Sequence, residues 1–175
     1  MKKLWLAIGI ITLVFVGWIT IRTYPRHISL SLKGVQYKLG SPRQGVTPVT
    51  LQLNGTLHPS IFGSRSFVGA VNVLGSNLLD KIHGKTLDIV FNQNLGGQIV
   101  HFNPNEQQFY VYGELYPNTK FTTFTIAVFQ REKGGSGWSG ASGLMISAPA
   151  QTRSQALQIS NELMKALLLP GHPLR

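Results

Sequence analysis

Six carboxylates and five histidines are all that the 175 residues offer for acid–base or metal chemistry. The carboxylates are Asp80, Asp88, Glu106, Glu114, Glu132 and Glu162; the histidines are His27, His58, His83, His101 and His172. A zinc-binding helix needs two histidines one turn apart, and neither H-x-x-x-H nor H-E-x-x-H occurs. Only Asp80-Lys81-Ile82-His83 sets a carboxylate three residues from a histidine. Gly84 follows at once, so this stretch reads as a solvated turn. The chain has no cysteine. That excludes disulfide scaffolds, thiolate zinc sites, iron–sulfur clusters and cysteine nucleophiles. One catalytic arrangement stays open: Glu114 paired across a sheet with Asp88 or Glu106, as a hydrolytic carboxylate dyad. No metal ligands, no cofactor and no catalytic set are expected.

Serine nucleophiles fare no better. The loop over residues 134–143 carries two serines that approach G-x-S-x-G, but Gly137-Trp-Ser139-Gly-Ala141 ends in alanine and Gly140-Ala-Ser142-Gly-Leu144 in leucine. No phosphate-cradling glycine pattern is present either. Trp138, between Gly137 and Ser139, is the one candidate binding residue. Its indole is expected either to stack on a sugar or partner or to enter the core as the next strand begins.

The elements that must carry these side chains divide into two kinds. Residues 4–21 are an apolar run without a charge, from Leu4 to Ile21. At 1.5 Å per residue they would form a helix of about 27 Å, near the thickness of a bilayer's hydrocarbon core. Trp5 stands near one end, Trp18 and Tyr24 near the other, as interfacial aromatics would. A cleaved signal peptide would have a shorter apolar stretch and a small-x-small site, and Trp18-Ile19-Thr20-Ile21-Arg22 offers none. The expectation is an uncleaved signal-anchor: a basic tail (residues 1–3), a transmembrane helix (4–21, with Leu4, Trp5, Trp18 and Ile21 as anchor residues) and a stalk (22–27) ended by Pro25 chemistry. The rest of the chain would then lie outside the cytoplasm.

Residues 28–175 read as one domain. Ile28, Leu30 and Leu32 alternate with Ser29, Ser31 and Lys33, and Val49, Leu51 and Leu53 with Thr50, Gln52 and Asn54. Similar segments recur over 67–74, 86–91, 98–102, 108–116, 121–129 and 143–148, separated by Gly, Pro and Asn. Such spacing predicts an antiparallel sheet system. Thr152-Arg153-Ser154-Gln155 fits a capping box, opening an amphipathic helix over about 153–168. Its apolar arc holds Ala156, Leu157, Ile159, Leu163, Met164, Ala166, Leu167 and Leu168, with only Arg153 and Ser160 out of place. The fold class is therefore α+β: a transmembrane helix, then an antiparallel β-rich domain closed by a C-terminal amphipathic helix. Gly55-Thr-Leu-His-Pro59 and Gly113-Glu-Leu-Tyr-Pro117 share G-x-L-[HY]-P, a weak internal echo at strand exits.

The formal net charge is +10, of which Lys2, Lys3 and Arg22 flank the apolar run and leave about +7 on the remainder. Phe109, Tyr110, Tyr112 and Tyr116 could form a stacking platform, but the cations are scattered rather than striped, so no nucleic acid is expected. The layout of basic tail, single apolar span, β-rich domain, Gly-Trp loop and Ala-Pro-Ala-Gln-Thr-Arg helix start resembles uncharacterised single-span, membrane-anchored extracytoplasmic proteins of Gram-positive bacteria. Those proteins bring no activity to carry over. The expected function is a tethered binding or scaffolding domain at the cell envelope. Its partners would be the bilayer through the anchor, and an anionic envelope polymer or another membrane protein through the domain. An envelope hydrolase is the alternative.

Overall fold

The computed structural model describes the chain except residues 1, 62, 93–95 and 133–134, and leaves out the side chains of 2–8, 81, 131–132 and 135 as well. In chain order the elements are α1 (Lys2–Thr23), β1 (Arg26–Lys38), β2 (Thr47–Pro59), β3 (Arg65–Leu74), β4 (Leu87–Phe91), β5 (Gly97–Asn103), β6 (Gln108–Pro117), β7 (Phe124–Val128), β8 (Gln130–Glu132), β9 (Gly135–Gly137), β10 (Leu144–Ala148) and α2 (Arg153–Leu163). A single 3-10 turn, Asp80–Ile82, interrupts the loop before β4.

Eight strands form one antiparallel sheet in the order β4-β3-β2-β1-β10-β7-β6-β5. Apart from the small β8–β9 hairpin, every hydrogen-bonded neighbour is next along the chain until β10 returns to β1. The outermost strands, β4 and β5, then come face to face. Gly97 makes this approach feasible, because a Cβ there would sit 2.4 Å from the Ile89 side chain and 2.8 Å from Phe91. The sheet thus curls into a near-barrel.

Alternation decides which side chains fill it. Leu51, Leu53, Phe67, Val71, Ile89, Phe91, Ile99, Leu115, Phe124, Ile126 and Ile146 point inward and form one buried cluster. Eight strands enclose just enough room for side chains, so this interior is a packed core. Val35, Tyr37, Ala127 and Met145 point outward instead, and are covered by Ala156 of α2 and Met164 just beyond it, with Ala150 and Leu174. The helix is held at its start by Thr152, whose hydroxyl accepts from the Gln155 N–H at 3.3 Å. Gln155 reaches back one residue further than the capping box requires, accepting from the Gln151 N–H at 2.9 Å.

Three expectations need correction. The α+β reading had a helix closing the core over one sheet face. The sheet instead closes on itself, because its inward residues bury one another, and α2 covers a patch of the outer wall. The amphipathic helix is shorter than 153–168: it ends at Leu163, and Leu167 is exposed. The third correction concerns the transmembrane helix. Among the described residues no helix is long and apolar enough to cross a membrane. Side chains of α1 are described from residue 9 to residue 23. The terms membrane, transmembrane helix and signal-anchor are therefore not supported. Of the expected anchor residues, Trp18 and Ile21 are exposed on α1, with Trp18 stacked against Phe15 and under the Arg22 guanidinium. The side chains of Leu4 and Trp5 lie outside the described residues.

Candidate functional site

The β5–β6 hairpin places chemistry at one end of the near-barrel. Its turn, Pro104–Gln107, joins strands whose register sets His101 opposite Tyr110, Phe102 opposite Phe109, and Asn103 opposite Gln108. A bulge interrupts the ladder: Ile99 faces Gly113 while Val100 faces Val111, leaving Tyr112 as the extra residue of β6. Tyr112 packs against the inner core. Tyr110, two residues earlier, shares its face, with the two rings 6.4 Å apart.

Lys85, from the loop that feeds β4, reaches across to this hairpin. Its ammonium donates to His101 Nε2 at 2.8 Å, which requires that ring nitrogen to carry a lone pair. The Tyr110 hydroxyl donates to the Glu106 carboxylate. Together Lys85, His101, Asn103, Glu106, Gln108, Tyr110 and Tyr112 line an open cleft of about 640 Å³. One cation, one imidazole, two side-chain amides and two phenols converge there. Among the described lining residues the one carboxylate, Glu106, is already bonded to Tyr110.

Of the two carboxylate pairings expected for Glu114, the one with Glu106 does not assemble. Glu114 lies six residues beyond Gln108 on β6, which puts it about 20 Å from the hairpin turn that carries Glu106. Glycosidase-type pairs need roughly 5–9.5 Å. Glu114 instead accepts a hydrogen bond from Tyr116 on the outer wall, and Asp88 is exposed on β4 opposite Val68. Burial pushes the Tyr116 phenol well above its ordinary 10.0, and the Glu114 carboxylate pushes it further. No group of three His, Cys, Asp or Glu that could hold a metal ion exists among the described residues. His83 ends the 3-10 turn, donating its N–H to the Asp80 carbonyl.

Trp138 sits elsewhere. Its half-buried indole packs against the outer-wall cluster, and Nε1 is turned inside with no partner among the described residues. Gly143 is obligatory beneath it, since a Cβ there would lie 2.3 Å from that nitrogen. Glu132, at the end of β8, has its side chain outside the described residues.

A second polar cluster is closed to any ligand. Ser160 of α2 is fully buried, with its Oγ 2.6 Å from Tyr37 Oη, 2.7 Å from Thr125 Oγ1 and 2.9 Å from Ser147 Oγ. Four hydroxyls satisfy one another between helix and wall. Among the described residues no general base adjoins them, so the cluster is structural.

Sequence reasoning missed Lys85, His101, Asn103 and Gln108. The signal was present in Asn103-Pro-Asn-Glu106, a turn that forces its flanks to pair and so makes His101 and Tyr110 neighbours. No family model matches the chain, and neither do any curated protein or solved structure.

Proposed function

We infer that this chain is a binding domain, and that its ligand is an anionic carbohydrate-like polymer taken at the hairpin cleft. The observation that supports this reading most is the convergence of Lys85, His101, Asn103, Gln108, Tyr110 and Tyr112 on one open cleft. Amides and phenols match the hydroxyls of such a ligand, and Lys85 offers the charge contact. The overall +10 adds a long-range attraction screened over about 8 Å at physiological salt. A hydrolase reading is less favoured, because Glu106 sits in the hairpin turn about 20 Å from Glu114.

The test is a titration with an acidic polysaccharide and its neutral analogue at low and high salt. Binding should weaken with salt, favour the acidic polymer, and fall about tenfold or more in Lys85→Met. A Lys85→Met protein that binds as well as the native chain while melting normally would sink the assignment to this cleft.

A further inference from the structure

We propose that the free edge of β1 receives an extended acidic peptide segment as an added strand. β1 is longer than the strand that closes against it. β2 pairs with it along residues 26–36, whereas β10 reaches only Val35–Lys38. The register against β2 has no shift, so the direction of each backbone group can be followed along the strand. The Leu39 N–H donates to the Gly143 carbonyl, and the Lys33 carbonyl accepts from the Ala150 N–H, both toward the β10 side. Odd-numbered residues therefore present their backbone groups to that side. His27, Ser29 and Ser31 do so where β10 has already ended, and no backbone partner meets them among the described residues. Their side chains are exposed, while Ile28, Leu30 and Leu32 turn inward against the core. This rigid, half-open ladder is what strand addition requires.

The edge continues into a groove of about 550 Å³ between β1 and the flank of α2, lined by Lys33, Pro149, Gln151, Gln155, Gln158 and Glu162. Charge selects the occupant. Strands β1, β2 and β3 contain no carboxylate, whereas Arg26, His27, Lys33 and Lys38 all lie on β1. Antiparallel pairing of two copies about Leu30 would set His27 against Lys33, cation facing cation or imidazole, with no carboxylate on β1 itself to offset it. An incoming strand bearing Glu or Asp on its outer face would pair with His27 and Lys33 instead.

The probe is a synthetic eight-residue peptide of alternating Glu and Val, with an alternating Lys and Val peptide as control. Amide hydrogen exchange of the full chain should slow at His27, Ser29 and Ser31 with the acidic peptide alone. Ser29→Pro removes one outward donor and no bond to β2, a substitution that an edge strand tolerates. It should abolish that protection with little change in melting temperature. Lys33→Glu should weaken acidic-peptide binding several-fold, and Lys85→Met, at the other cleft, should leave it unchanged. Protection confined to other strands, undiminished binding by Ser29→Pro, or slowed edge exchange from self-association without peptide would each overturn the proposal.

Discussion

Tyr37 on β1 and Ser160 on α2 approach to 2.6 Å between their hydroxyl oxygens, although 123 residues separate them in the chain. This contact, with Thr125 and Ser147 around it, is the polar rivet between helix and barrel wall. Ser160→Ala should therefore destabilise the fold by about 1–3 kcal/mol, because three buried hydroxyls lose their common partner. Gln158→Ala, exposed on the same helix, should stay within about 0.5 kcal/mol of native. Urea midpoints compare the two. Equal midpoints would show that the hydroxyl cluster contributes nothing net.

Alkaline pH should weaken the fold through two tyrosines. Burial raises the Tyr37 phenol above 10.0, against smaller opposing effects of Ser160, Ser147 and Arg153. Tyr116 is raised by burial and by Glu114. A raised native value means that the native state holds its proton while the unfolded chain releases it. The stabilisation is complete below pH 10 and is lost as pH climbs above it. Each tyrosine contributes at most about 1.4 kcal/mol per pH unit there. Unfolding free energies measured from pH 8 to 11 should be flat at first and then fall. Tyr37→Phe, which cannot ionise, should flatten part of that descent.

Gly34 marks the point where β1 leaves its free stretch and meets β10. A Cβ there would lie 2.5 Å from the Ser147 carbonyl oxygen and 2.8 Å from the Ala148 Cβ. Backbone cannot yield as a side-chain tip can, so Gly34→Val should cost on the order of 3 kcal/mol or prevent folding. Gly45→Val, with open space around its Cβ position, is the control. A Gly34→Val protein as soluble and as stable as that control would disprove the close crossing.

Trp138→Ala separates packing from recognition. A half-buried indole over Gly143 predicts a loss of about 2–3 kcal/mol in unfolding free energy. Acidic-polymer affinity, measured on the folded fraction, should not change, since the indole lies outside the hairpin cleft. A specific loss of affinity with unchanged stability would restore Trp138 as a recognition residue.

Period-two alternation made the strand segments legible, and Thr152 with Gln155 made the helix start so, because these are local signals that a solvent-facing or core-facing surface demands. Ser160 stood on the apolar arc without a visible reason, because the partners that satisfy it come from β1, β7 and β10. The β8–β9 hairpin was read as loop, since Gly135–Gly137 carries no alternation at all. Closure of the sheet was equally hidden: it depends on Gly97 admitting Ile89 and Phe91, a relation between strands rather than within one. The hairpin cleft required the register of β5 on β6, and the bulge at Tyr112 shifts that register by one residue. Composition could narrow the chemistry to dispersed acids and scarce histidines, yet only pairing brought Lys85 to His101.

The return of β10 to β1 also sets a schedule for biosynthesis. Val35 pairs with Ser147, more than a hundred residues later. At roughly 5–20 residues per second, β1 waits on the order of 6–20 s for the strand that closes the wall beside it. The earlier strands can zip successively as hairpins during that interval, each with a short loop to close. The final seam is different: it joins the oldest strand to the newest, so an arrested chain ending before Leu144 would display a nearly finished wall with an open seam. The cations and serines along β1 are thus the sole guard of that edge while the ribosome is still at work.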